Sequence, residues 1–279
     1  MTDSVSPKWG DLAVRTGSAA ILIPVVLLCV WLGGLWFQIF VFLFGCLIAG
    51  EWSRIVHSGN QGQYLLHLGA ALLGVLAPGM LALWVVALLV AALAAVSSFL
   101  VYSQNAAASH WSYLGIWYVG LPAIALSVLR SDVEFGALAI VWICVIVWSA
   151  DIFAYFAGRI IGGPKLAPAI SPKKTWAGLA GAVFGSAIAS LIFAYFAQLE
   201  SIGILTALAG VLAIVEQGGD LFESALKRFH NVKDAGSLIP GHGGVIDRVD
   251  GLIAVSVAAV LIGFFRMNGE FAAQGLLIW

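Results

Sequence analysis

Residues 215 to 250 read VEQGGDLFESALKRFHNVKDAGSLIPGHGGVIDRVD, and the side chains in this stretch suit polyphosphate chemistry. Glu216, Asp220 and Glu223 follow at spacings of four and three, which puts them in one arc of a helix. Ser224, Lys227 and Arg228 continue that face. Asp247 and Asp250 lie three apart and share a face if the next helix has begun. Between these acids runs a basic, glycine-rich loop carrying Lys233, His242, Gly243 and Gly244. Carboxylate oxygens hold a hard cation. Ammonium, guanidinium and glycine N–H groups hold phosphate. Phosphoryl and nucleotidyl transfer needs both at once. A solvated loop with incidental charges would not explain acids inside apolar helices on both flanks. Three such acids without compensation would cost roughly 8 kcal/mol, at about 2.5–3.5 kcal/mol each on insertion scales.

Two further groups have the same flavour. WSADIFAYFAGRIIGG, residues 148 to 163, sets Asp151 well inside an apolar run. Asp151, Tyr155 and Arg159 fall on one helix face, either as an internal salt-bridged stripe or as the wall of a cavity. In SPKKTWAG, residues 171 to 178, Ser171 suits a helix N-cap and Pro172 the first helical position. Lys173, Lys174 and Thr175 would then occupy the first turn. Lysines there oppose the helix dipole unless an anion binds, although they are also ordinary flanks of a membrane span.

The elements that must position these residues are membrane helices. Of 279 residues, 62% are hydrophobic and 10% charged, and the mean hydropathy is +1.03. A soluble domain is nearer half apolar and a quarter charged. The composition predicts an all-α polytopic integral membrane protein. Apolar runs near 17–33, 35–56, 64–78, 79–100, 112–130, 135–158, 175–198, 202–226 and 251–267 make nine spans of roughly the 20 residues a bilayer needs. The first is expected to be retained rather than removed as a signal peptide. With nine spans, eleven of the thirteen basic residues fall on one side and only Arg130 and Arg266 on the other. The positive-inside rule then puts the N-terminus and the loops 159–174 and 227–250 in the cytoplasm, and the C-terminus outside. Residues 1–134 are plain apolar spans, a scaffold that could also form a homodimer interface. Residues 135–279 hold nine of the fourteen acids and are the expected catalytic region. The net charge of −1 gives no field for nucleic acid, and Cys29, Cys46 and Cys144 lie scattered in apolar runs with no metal or disulfide spacing.

Several chemistries are excluded by what is missing. There is no G-x-x-x-x-G-K-[ST] and no H-E-x-x-H. Asp250-Gly251-Leu252-Ile253-Ala254-Val255 starts like the motif of CDP-alcohol phosphotransferases, but Val255 stands where that motif needs arginine.

The 224–250 stretch resembles the pattern of phosphatidate cytidylyltransferases, also called CDP-diacylglycerol synthases. Ser224, Lys227, Arg228, Lys233, Asp234, Pro240, His242, Gly243, Gly244, Asp247, Arg248 and Asp250 all fall in its register. ISPKKTW and DIFAYFAGR also look like segments of that family, so the resemblance covers about residues 145 to 251. It implies condensation of CTP with phosphatidic acid to CDP-diacylglycerol and pyrophosphate, within the bilayer and dependent on Mg2+, with room for a second cation. It implies Asp220 and Asp247 as metal ligands and Asp250 as a further catalytic acid. Ser224, Lys227, Arg228, Lys233, His242, Arg248 and the Gly243-Gly244 backbone would contact CTP. Lys173, Lys174 and Asp151 would line the lipid-phosphate side. A related CTP-using lipid enzyme, such as a CDP-archaeol synthase or a polyprenol kinase, shares much of this chemistry. A cation- or proton-coupled transporter would also carry acids inside helices. Against transport, the polar groups gather at one end of their spans, and no inverted repeat is visible.

Overall fold

The computed structural model describes residues 9–77, 82–102, 106–236, 243–267 and 271–279. Nine long helices occur among them: α1 (Trp9–Leu32), α2 (Gly34–His57), α3 (Gln61–Leu76), α4 (Leu83–Tyr102), α5 (Ala106–Ser131), α6 (Gly136–Ile160), α7 (Trp176–Phe196), α8 (Ile202–Phe229) and α9 (Ile246–Arg266). A short α10 (Ala272–Leu277) follows. The nine long helices match the expected runs one for one. Seven of them, all but α1 and α3, are long and apolar enough to cross a membrane among the described residues. The protein is therefore an all-α polytopic membrane protein.

Helix ends depart from the expected spans where polar residues extend a helix beyond its apolar run. α1 begins at Trp9 rather than near residue 17, and α9 begins at Ile246 rather than 251. The largest correction is at SPKKTWAG. Ser171 is not a cap and Pro172 does not open a helix. Ser171–Thr175 is instead a strand, β2, pairing antiparallel with β1 (Lys165–Ala167). The helix starts only at Trp176, and the Thr175 side chain is its cap, accepting from the N–H of Gly178 at 3.0 Å. Thr175 thus supplies the capping oxygen expected of Ser171, four residues later. Lys173 and Lys174 are consequently strand neighbours, with side chains directed to opposite faces.

Small residues let the helices approach, as is usual where lipid removes the hydrophobic drive between them. A Cβ on Gly45 of α2 would come within 2.7 Å of the Ala71 Cβ of α3, and one on Gly74 of α3 within 2.7 Å of the Ala123 Cβ of α5. A core around Trp142, Ile143 and Ile146 of α6 joins Leu205 and Leu212 of α8 and Val255 of α9. Trp142 donates its indole N–H to Ser190 at 2.8 Å, and the Ser190 hydroxyl donates to the Leu205 carbonyl at 3.1 Å, so this core keeps its polar atoms satisfied. A second core packs Ile48, Ala49 and Trp52 of α2 against Leu226 of α8 and Ile246, Val249 and Ile253 of α9. It locks the ends of α8 and α9 onto the first half of the chain.

The helix ends sort into two sets. At one end, His57 lies near His67, Trp111 near His230, and the β hairpin near α8. At the other, Arg130 donates to the Val30 carbonyl, Gln274 N–H to Asp132, and Ser201 pairs with the Trp279 backbone. The first end carries Arg54, Arg159, Lys165, Lys173, Lys174, Lys227, Arg228, Lys233 and Arg248. The second carries Arg130 and Arg266. The two long polar loops therefore meet at one face of the bundle.

Candidate functional site

α8 is polar on one side for its last four turns, and that side meets the first turns of α9 and the β hairpin. A cavity of about 340 Å³ opens there, lined by Asp151, Asp220, Glu223, Ser224, Lys227, Asp247, Arg248 and Asp250. Asp151 comes from α6. It belongs to the cavity and not to a stripe with its helix neighbours, because Arg159 turns to the Tyr155 hydroxyl at 2.6 Å.

Within the cavity the acids divide into two groups. Asp220 and Glu223 of α8 and Asp250 of α9 bring one carboxylate oxygen each to within 4.8 Å of one another. Octahedral coordination at about 2.0–2.1 Å sets opposite oxygens about 4 Å apart, so this trio fits a small hard cation after slight closure. Asp247 is held differently. Its Oδ1 accepts from Lys227 Nζ at 2.7 Å, and its Oδ2 accepts from the N–H groups of Ala235 at 3.0 Å and Gly244 at 2.8 Å. It clamps both ends of the glycine-rich loop. Gly243, at φ +84°, takes a turn that a side chain would strain.

Two ammonium groups sit on the acids. Lys174 of β2 lies 2.7 Å from Asp220 and donates to the Gln217 side chain at 2.9 Å. Gln217 in turn donates to Glu216 at 2.8 Å, and Glu216 is buried and does not line the cavity. The arc of Glu216, Asp220 and Glu223 is real, but only the latter two open onto the cavity. Lys227 bridges Glu223 and Asp247, at 2.7 Å from each. Ser224 donates to Asp220 at 3.3 Å. Arg248 lies on the cavity wall. Lys173, Arg228 and Lys233 are exposed and lie outside that wall. The N–H of Gly244 is already taken by Asp247. Pro240 and His242 lie outside the described residues. His230, just past α8, packs edge-on against Trp111, and burial pushes its pKa below the usual histidine value.

One residue at this site escaped the reading of the sequence. Glu51 of α2 is fully buried, and its carboxylate accepts from the N–H groups of Val245 and Ile246 at 2.8 Å each. The signal was a lone acid inside an apolar run, in a half of the chain that otherwise reads as plain scaffold. What the assembled site can do is hold a cation with carboxylates while ammonium and guanidinium groups face the same space.

Residues 13–265 match the model of a family described as the cytidylyltransferase family. A protein of Brucella abortus biovar 1 (strain 9-941) named phosphatidate cytidylyltransferase is 38% identical over 253 residues, covering 91% of this chain and 93% of that protein. A protein of the same name from Bacillus subtilis (strain 168) is 41% identical over 139 residues, half of each chain. One from Rickettsia bellii (strain RML369-C) is 38% identical over 168 residues, covering 57% of this chain and 69% of that protein.

Proposed function

This chain belongs to the cytidylyltransferase family, and on that premise we propose how its cavity works. The protein is a multi-pass membrane enzyme that transfers the cytidylyl group of CTP to phosphatidate, giving CDP-diacylglycerol and pyrophosphate. One observation carries the placement of that reaction. Asp220, Glu223 and Asp250 converge in a cavity that also holds Lys227 and Arg248 and is flanked by Lys174.

An oxygen of the lipid phosphate attacks the α-phosphorus of CTP. A new P–O bond forms as the bond to pyrophosphate breaks. A phosphate monoester has a second pKa of about 6, so its oxygen is already ionised near neutral pH and needs no strong base. Catalysis is then mainly positioning and charge neutralisation. Lys227 and Arg248, on the cavity wall, would hold the polyphosphate. Arg228 at the end of α8 and Lys233 beyond it would approach from outside that wall, and the resemblance gives His242 the same role. Lys174, Lys173 and Asp151 border the side facing α6 and the hairpin, where the lipid phosphate would enter. Asp220, Glu223 and Asp250 would hold Mg2+, and Asp247 would join them once Lys227 turns to a phosphate. Bound there, Mg2+ would offset the negative charge crowded on the reacting phosphates. The bias of basic residues to this end of the bundle supports a cytoplasmic active site.

The test is turnover by purified protein with labelled CTP, Mg2+ and either phosphatidate or its archaeal ether counterpart. CDP-lipid and pyrophosphate should appear in step, and the preferred lipid separates the two enzyme classes. Protein that makes no CDP-lipid from either, yet moves an ion across sealed vesicles, would refute the reading and assign the acids to transport.

A further inference from the structure

We infer that Glu51 is a positioning residue for the cation-holding acids, acting through the backbone at Val245 and Ile246, where α9 begins. It rests on the reading above that these acids serve cytidylyl transfer.

Glu51 stands 194 and 195 residues from the two groups it binds, and it has no exposed surface. A buried carboxylate in a membrane helix is expensive, so it persists only where its partners compensate it. Here those partners are backbone. Oε1 accepts from Val245 and Oε2 from Ile246, each at 2.8 Å, at the point where α9 starts. The first N–H groups of a helix have no partner within it, and Glu51 supplies one from another helix. Gly236 and Gly244 are also pressed onto the carboxylate. A Cβ on Gly236 would lie 2.6 Å from Glu51 Oε1, and one on Gly244 would lie 2.7 Å from Oε2.

The contact matters because of what hangs from it. Asp247 sits one residue beyond Ile246 and grips the N–H groups of Ala235 and Gly244. Asp250, less than one turn further on, completes the trio with Asp220 and Glu223. Glu51 and Asp247 thus share out the N–H groups of residues 235, 244, 245 and 246. One acid grips the segment from α2 and the other from α9 itself. Trp52, next to Glu51 and fully buried, packs on Tyr118 with ring centroids 5.0 Å apart, which fixes this part of α2 against α5. The scaffold half of the chain therefore sets where α9 begins, and so how far Asp247 and Asp250 stand from Asp220. A misplacement of about 1 Å in such a site can cost about a hundredfold in rate.

Glu51→Gln keeps the volume and one acceptor but turns an N–H donor toward a backbone N–H. Two readouts apply to variant protein that elutes as the wild type in detergent. First, hydrogen exchange at one of the Val245 and Ile246 amides should accelerate at least about tenfold, since it loses its acceptor and meets an N–H donor instead. Second, KM for CTP and the Mg2+ concentration for half-maximal rate should both rise, by about 10- to 100-fold, the range seen when groups that orient metal ligands are removed. Gly236→Ala, which leaves the carboxylate intact but crowds it, should move both readouts the same way. A purely structural role would lower kcat through lost folded protein, with KM and Mg2+ dependence unchanged, and that result would overturn the inference. So would faster exchange with unchanged kinetics. Should the wild type itself lack turnover, the functional reading fails alone, and normal exchange in Glu51→Gln would then sink the tether as well.

Discussion

The ammonium of Lys174, on the β hairpin, lies 2.7 Å from a carboxylate oxygen of Asp220, on α8. This contact ties the hairpin to α8, between two residues 46 apart in the chain. It also places a positive group on an acid proposed to hold a cation. Lys174→Ala should leave the protein folded and reduce kcat/KM by about ten- to a hundredfold, as expected for a charge-assisted contact of about 1.5–3 kcal/mol. The check is steady-state turnover with each substrate varied in turn. Unchanged kinetics would remove Lys174 from the site.

Asp220 and Asp247 should respond differently to the same substitution. Asp220→Asn should abolish turnover with little change in thermal unfolding: it gives up an ion pair with Lys174 but also relieves the charge crowding with Glu223 and Asp250. Asp247→Asn should abolish turnover and also lower the unfolding temperature. An amide cannot accept from Lys227 and from two loop N–H groups with both of its atoms. Loss of a hydrogen bond to a charged group costs about 1.5–3 kcal/mol. Melting curves of both variants in detergent check this, and equal stability would show that Asp247 does not hold the loop.

Much of the site could be read before any coordinates. The arc from Asp220 to Lys227 follows from helical spacing, and the Asp247–Asp250 pair follows once α9 has started. What escaped was set by tertiary contact. Nothing in SPKKTWAG distinguishes a capped helix from a strand entering one, since Pro172 suits both and the choice falls to pairing with Lys165–Ala167. The partition of acids between a cation trio and a loop clamp depends on which backbone N–H groups Asp247 meets. Glu51 was invisible for the same reason: its partners are 194 and 195 residues away.

Orientation is testable apart from chemistry. Single cysteines near residues 170 and 235, in a background with Cys29, Cys46 and Cys144 replaced, should react with an impermeant reagent only from the cytoplasmic face. One near residue 275 should react only from outside. The expectation rests on Arg130 and Arg266 being alone at the α10 end among the described basic residues. Labelling of residues 235 and 275 from one side would contradict the two-ended layout.

Lys227 offers the sharpest separation of a binding role from a structural one. It sits between Glu223 and Asp247, 2.7 Å from each, and so occupies space that a bound cation would contest. Removing it has two opposite consequences. CTP loses a phosphate contact, so kcat/KM for CTP should fall about ten- to a hundredfold. At the same time two carboxylates lose their counter-charge, and like charges left close together destabilise the fold and favour any cation that replaces the ammonium. Lys227→Met should therefore unfold at a lower temperature than the wild type without Mg2+, yet gain more from added Mg2+. A ligand that binds only the folded state stabilises it by RT ln(1 + [L]/Kd), which is about 2.7 kcal/mol at a hundredfold excess over Kd. Melting curves across a Mg2+ titration, with and without CTP, read both effects. If Mg2+ raised the melting temperature of wild type and variant equally, ammonium and cation would not share these carboxylates.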